Sequence, residues 1–116
     1  MKLVTAIVKP EKLDELVESV IDAGARGLTV TDVRGFGRQY GQLAASWAAA
    51  GVGGQRPALL PKIRLDVVVL DDDAETMVET IAKCANTKTI GDGKVWVTTV
   101  DAVLRVRTGE RDRDAL

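Results

Sequence analysis

Apolar residues first crowd together in KLVTAIVK, residues 2–9, where β-branched side chains run unbroken until Pro10; the run predicts a strand. The period then changes. In EKLDELVESVIDAG, Leu13, Leu16, Val17, Val20 and Ile21 recur at helical spacing, with acids early and Gly24 as a stop, which predicts an amphipathic helix. Residues 27–37, GLTVTDVRGFG, set Leu28, Val30 and Asp32 against Thr29, Thr31 and Val33 and predict a second strand that ends in glycines. The same order returns further on. KIRLDVVVL, residues 62–70, predicts a strand, and DDDAETMVETIAKCAN predicts a helix with Ala74, Met77, Val78, Ile81, Ala82 and Ala85 on one face. KVWVTTV, residues 94–100, predicts another strand, and DAVLRVRTGE a final extended piece.

Two β-α-β halves of similar length predict an α/β fold of the ferredoxin-like kind: a double βαβ sandwich, with a four-stranded antiparallel sheet and two helices on one face. The chain reads as a single domain, residues 1–116. The segment between the halves, about residues 38–61, has neither period, and a loop of that length in a small domain is usually functional or disordered. AASWAAA within it has helix-forming alanines, but Gly51, Gly53 and Gly54 would end any helix there. Trp47 is the bulky side chain near its centre, a candidate partner contact or a residue that packs back on a subunit.

Composition excludes several classes. Lys and Arg number 16 against 17 Asp and Glu, a net charge of -1, so no global basic field points to nucleic acid or anionic lipid. No apolar run approaches the roughly 18 to 20 residues that span a bilayer, so membrane insertion is not expected. One cysteine, Cys84, cannot form an internal disulfide, and the N-terminal residues do not resemble an export signal; the expected compartment is the cytoplasm. Histidine is absent, which removes the usual general base and, with one cysteine, makes a transition-metal site an unlikely reading of the chemistry. The acids Asp71, Asp72 and Asp73 sit where carboxylates favour a helix N-terminus and are read as cap and dipole partners.

The stretch TKTIGDGKVWV, residues 87–97, admits two readings. D-G before alternating apolar residues is a strong hairpin signal. Yet Gly91 and Gly93 also allow positive φ and close approach of backbone N–H groups to an anion, and Lys94 adds a mobile positive charge. The spacing is shorter than that of a Walker A loop. Downstream, Arg105 and Arg107 lie two apart and would share a face of a strand, where an anion such as polyphosphate, or acids such as Asp101 and Asp66, would relieve their repulsion.

MKLVTAIVKP, TVTDVRGFGRQYG, TKTIGDGKVWV and VLRVRTGERD, in this order and at these separations, resemble the PII signal-transduction proteins of nitrogen regulation across nearly the whole chain outside the long loop. The resemblance implies a homotrimer of ferredoxin-like subunits that binds ATP or ADP between subunits and is not an enzyme. It implies that 2-oxoglutarate joins MgATP at the base of a protruding T-loop, which docks on a transporter, enzyme or regulator. The T-loop would be residues 38–61, the B-loop residues 87–94 and the C-terminal segment residues 101–116. Position by position, Thr87, Gly91, Asp92, Gly93 and Lys94 match the phosphate-surrounding B-loop, with Arg105 and Arg107 reaching in from the C-terminal segment. Gly35, Gly37 and Arg38 match the start of the long loop, Thr29 a position beside adenine, and Asp66 with Val68 the strand lining the cleft; Asp66 stands where the family usually has Glu. Gln39 matches the residue holding Mg and 2-oxoglutarate, its metal contact made only through MgATP, and Lys62 matches the lysine that pairs with a 2-oxoglutarate carboxylate. An amide oxygen suits a hard cation, and an ammonium suits a dicarboxylate. The first strand, apolar on both faces, suits a sheet turned inward in an oligomer.

The departures leave the output open. The usual loop motif H-T-E-x-Y-R-G-A-E-Y is replaced by QLAASWAAAGVGGQRP, about four residues longer. No tyrosine follows Tyr40, so the loop tyrosine that many bacteria nucleotidylate is absent; Arg56 lies beyond the glycine run, and Ser46 lacks a preceding basic residue. The B-loop reads T-K-T-I-G-D-G-K against the commoner T-G-K-I-G-D-G-K, so Lys88 replaces a glycine. Three readings stand: a sensor of ATP or ADP with 2-oxoglutarate that controls a partner in nitrogen metabolism; a PII-like paralogue sensing ADP or AMP and another small anion such as bicarbonate, regulating carbon metabolism or a transporter; and a small ATP-hydrolysing enzyme, which the missing histidine argues against.

Overall fold

The computed structural model describes residues 1–37 and 59–116. Among them, β1 is Lys2–Val8, α1 is Leu13–Asp22, β2 is Thr29–Gly35, β3 is Leu60–Val69, α2 is Ala74–Ala85 and β4 is Lys94–Thr99. Short 3-10 turns at Pro10–Lys12 and Asp71–Asp73 lead into the two helices. The strands form one antiparallel sheet in the order β2-β3-β1-β4, and the fold is ferredoxin-like.

The period-2 pattern decides which side of the sheet is covered. Along β3, Ile63, Leu65, Val67 and Val69 are buried while Lys62, Arg64, Asp66 and Val68 lie on the other face. Across the ladder, Val4, Ala6 and Val8 of β1 join the same buried layer, and Leu16, Val20, Met77, Ile81 and Ala85 close it from the helices. The helical faces are narrower than the periodicity predicts. Ile21 is 56% exposed and Ala82 is exposed, because each helix meets the sheet along one stripe and these residues sit on its flank.

The acids before α2 act differently from the cap expected of them. The 3-10 turn at Asp71–Asp73 has no side-chain cap bond; Asp71 instead pairs with the Met1 ammonium at 2.7 Å, which lowers its pKa. The last segment also departs from expectation. Beyond β4 the chain makes a single bridge, Leu104 to Arg111, with a turn between them in which the Gly109 N–H donates to Arg105 O at 2.8 Å. Arg105 and Arg107 therefore do not share a strand face.

Among the described residues no helix covers the sheet's second face. It carries Thr29 and Thr31 of β2; Lys62, Arg64, Asp66 and Val68 of β3; Leu3, Thr5 and Ile7 of β1; and Lys94, Trp96 and Thr98 of β4. Thr5, only 1% exposed, is the buried polar side chain here, and its hydroxyl donates to Asp66 Oδ1 at 2.7 Å. Arg64 Nε donates to the other carboxylate oxygen at 2.9 Å. Partial burial pushes the Asp66 carboxyl up, but the bonds from Arg64 and Thr5 outweigh it and hold the group below its ordinary value.

Among the described residues no helix is long and apolar enough to cross a membrane. Leu65 is fully buried at the centre of the covered layer. Leu65→Ala is expected to lower stability by about 2–5 kcal/mol through lost transfer energy and a residual cavity. Urea unfolding at fixed protein concentration measures it, and a loss under ~1 kcal/mol would contradict the assigned core.

Candidate functional site

Residues 86–93 join α2 to β4, so the glycine-rich stretch connects a helix to a strand and is not a hairpin turn. Gly91 and Gly93 have φ of +93° and +101°, the left-handed region that side chains rarely adopt. Gly93 is constrained twice. A Cβ there would overlap the carbonyl oxygen of Ile7 and lie 2.8 Å from its carbonyl carbon, so only glycine lets the loop pass the end of β1. At Gly91 a Cβ would meet the ends of Lys62 and Lys9 at 3.3 and 3.4 Å.

Asp92 organises the loop around these turns. Its Oδ2 accepts the Thr87 backbone N–H at 2.7 Å, and its Oδ1 accepts the Thr87 hydroxyl. Lys9, from the end of β1, places its ammonium 3.2 Å from Asp92 Oδ1. The hydrogen bond from the Thr87 hydroxyl, helped by the Thr87 N–H and by Lys9, holds the Asp92 carboxyl well below the usual carboxylate range despite partial desolvation. Lys62, two residues inside β3, reaches across and donates to the carbonyl of Gly91 at 2.8 Å.

These contacts frame a cleft of about 580 Å³. Gly91, Asp92, Gly93 and Lys94 form one wall, Gly35 and Gly37 the opposite rim, and Lys62 the base. Ile7, Phe36, Ile90 and Trp96 supply apolar surface. Seven of the residues selected from sequence thus meet in one place, although they come from three separate parts of the chain. Such a cleft sets glycine backbone at positive φ and two ammonium groups beside apolar side chains, a surface suited to an anion carrying a flat apolar body.

Other selected residues lie elsewhere. Thr87 stands behind the loop, bonded to Asp92. Thr29 pairs with Asp66 across β2 and β3, and Val68 lies further along β3, so these occupy the second sheet face outside the cleft. Arg105 donates to Glu110 Oε1 at 3.1 Å and to the Leu116 carbonyl at 2.8 Å, in place of Asp101 or Asp66. Arg107 is in the adjoining turn. Arg38, Gln39 and Trp47 lie outside the described residues. Lys9 was not selected from sequence: it reads there as the last residue of a strand before a proline, and only the loop folding back onto β1 gives it three partners.

Lys88 has φ +59°, and its N–H donates to Asn86 Oδ1 at 2.8 Å. A left-handed non-glycine residue costs about 1–2 kcal/mol, partly offset in glycine by greater chain entropy when unfolded. Lys88→Gly is therefore expected to raise stability by about 0.5–1 kcal/mol in denaturant melts, while Lys88→Ala gains nothing. A destabilised Lys88→Gly would contradict this backbone assignment. Asp92 yields a pH signature. Its folded pKa is depressed, so its contribution is present above the unfolded value of about 3.9 and is lost as pH falls toward the folded one. The stability gap between the wild type and Asp92→Asn should stay constant from pH 7 to about pH 5 and shrink below pH 4; a gap that widens in acid would refute it.

The geometry agrees with relationships across the whole sequence. A family model described as "Nitrogen regulatory protein P-II" matches residues 1–110. "Nitrogen regulatory protein P-II 2" of Methanothermobacter thermautotrophicus is 47% identical over 116 residues, covering 100% of this chain and 97% of that protein. "Nitrogen regulatory protein P-II" of Rhizobium meliloti and "Nitrogen regulatory protein GlnK" of Escherichia coli K12 are each 44% identical over 116 residues, with both partners covered completely. A 44–47% identity that spans both partners from end to end, with the glycine loop in place, leaves one assignment: the chain belongs to the nitrogen regulatory protein P-II family of signal-transduction proteins.

Proposed function

We propose that this protein is a metabolite-reading regulator that binds MgATP or ADP in the cleft beside residues 87–94, with 2-oxoglutarate joining MgATP near Lys62, and controls a partner of nitrogen metabolism. The observation that carries the reading is the meeting of Gly91, Gly93, Lys94 and Lys62 around one cleft with apolar walls. Phosphates suit the N–H groups of the glycine turns and the Lys94 ammonium; Ile7, Phe36 and Trp96 suit the body of a nucleotide. Lys62 uses one N–H on Gly91 O, so an acid group reaching it would couple directly to the shape of the phosphate loop. Mg would enter with ATP, with Gln39 as its protein ligand.

A homotrimer fits the second sheet face, which no described helix covers and where Leu3 and Ile7 are half-buried and Trp96 is 40% exposed. Assembly through that face would also let Arg105 and Arg107 of one subunit approach the cleft of the next, with Thr29, Asp66 and Val68 lining the space between. Partner docking through residues 38–61, with Trp47 as a contact, follows from the family resemblance and from the composition of that segment. Such a regulator would work in the cytoplasm, where its ligands are.

Regulation without catalysis suits the cleft. Asp92 is the carboxylate among its described lining residues, and its oxygens are taken by Thr87 and Lys9, so it offers no free base to an attacking water.

Calorimetry tests the proposal. MgATP should bind to the wild type, 2-oxoglutarate should bind only when MgATP is present, and Lys62→Ala should abolish that second event while MgATP still binds, weakened by loss of the Lys62 contact to Gly91 O. Tight ADP or AMP binding with no 2-oxoglutarate coupling would sink this reading in favour of a sensor of ADP or AMP with another small anion.

A further inference from the structure

Lys9, outside the glycine loop, makes three contacts to it, and none of the roles above accounts for them. Its ammonium donates to Thr89 Oγ1 at 2.6 Å and to Thr87 Oγ1 at 3.4 Å, and pairs with Asp92 Oδ1 at 3.2 Å. The side chain is 19% exposed, and all three partners belong to the loop, more than 75 residues away in sequence. An ammonium has three N–H donors and no acceptor, so these contacts take all of its hydrogen-bonding capacity.

The proton directions can be followed from one end. Asp92 is ionised and only accepts, so the Thr87 hydroxyl donates to Asp92 Oδ1. The Thr87 and Thr89 hydroxyl oxygens also share a hydrogen bond, and with Thr87's proton already given, Thr89 is the donor. Lys9 then donates to Thr89. The Thr89 hydroxyl also lies 3.5 Å from Asp92 Oδ1, so its proton goes to Thr87 or to Asp92, and by either route the donors run from Lys9 through the threonines to Asp92. Neither threonine hydroxyl keeps a proton for a phosphate oxygen, which leaves the turn's N–H groups, Lys94 and Lys62 to face an anion.

We propose that Lys9 is the positioning residue of the phosphate loop: delivered by the end of β1, it locks Thr87, Thr89 and Asp92 into one turn and acts on bound nucleotide through that turn without touching phosphate. The inference rests on the nucleotide reading for its effect on binding, but its effect on the loop is independent of it. Gly93 passing against Ile7 O and Lys9 gripping the loop two residues further along are two clamps on the same strand end, one steric and one electrostatic.

Lys9→Met keeps the aliphatic length and removes the donors. Without nucleotide, it should speed amide exchange at Thr87 and Thr89, whose N–H groups bond Asp92, by tenfold or more while exchange in β1 and β3 stays the same. With nucleotide, it should weaken MgATP and MgADP by the same factor, about tenfold, because a loosened loop costs both ligands equally. Thr89→Val should produce part of the same loss, and the double variant Lys9→Met with Thr89→Val should lose little more than Lys9→Met alone. Unchanged exchange in Lys9→Met would overturn the proposal, as would a loss confined to MgATP, which would mean direct contact with the terminal phosphate. A wild type that binds neither nucleotide would refute the nucleotide reading, and the exchange measurement would still decide the role of Lys9.

Discussion

The register of β1 between β3 and β4 is the constraint on which the rest depends. Ile7 faces Arg64 on one side and Lys94 on the other, and Val8 faces Ile63. This pairing sends one set of β1 side chains into the helical layer and places the strand's end under the glycine loop. A slip of one residue would turn Val4, Ala6 and Val8 outward and Thr5 inward, so the buried layer itself enforces the register. The same pairing puts Ile7 O where only a glycine at position 93 can pass.

From that anchor the site is built by contacts between parts of the chain far apart in sequence. β3 carries Lys62 to the carbonyl of Gly91, and β1 carries Lys9 to Asp92. The loop has little regular backbone hydrogen bonding of its own, and a carboxylate receiving N–H and hydroxyl donors takes its place. The arrangement keeps Asp92 ionised. Asp92, Lys94 and Lys62 all line the cleft, and the carboxylate's oxygens are taken up by Thr87 and Lys9. The second sheet face has no described helix over it, since a ferredoxin-like sheet has helices for only one of its sides.

Much of this was legible in the sequence, for reasons that differ by element. The strands and helices announce themselves through period, because a period-2 run and a 3.6-period run bury different sets of positions. Each element falls within a few residues of its expected limits, and the glycines at 91 and 93 have the positive φ expected of them. The chain beyond β4 was misread. VLRVR has strand-like composition, but its partner is a nearby turn and not the sheet, and Arg105 turns to Glu110 and Leu116. Of the acids at 71–73 the expected side-chain cap is not made, and the Met1 ammonium that pairs with Asp71 is brought there only by the sheet.

By itself the sequence determined the order of elements, the alternation that buries one side of β3 and the family, because those depend on local period and on short motifs in fixed order. Tertiary structure alone decided that Lys9 serves the glycine loop, that Lys62 joins it from β3, and that Lys88 sits in a left-handed turn. A lysine is the same residue in any sequence context until the fold sets its distance from an acceptor. Hydrogen bonds and ion pairs act over a few ångströms, and only strand pairing brings residues 9, 62 and 92 within that reach.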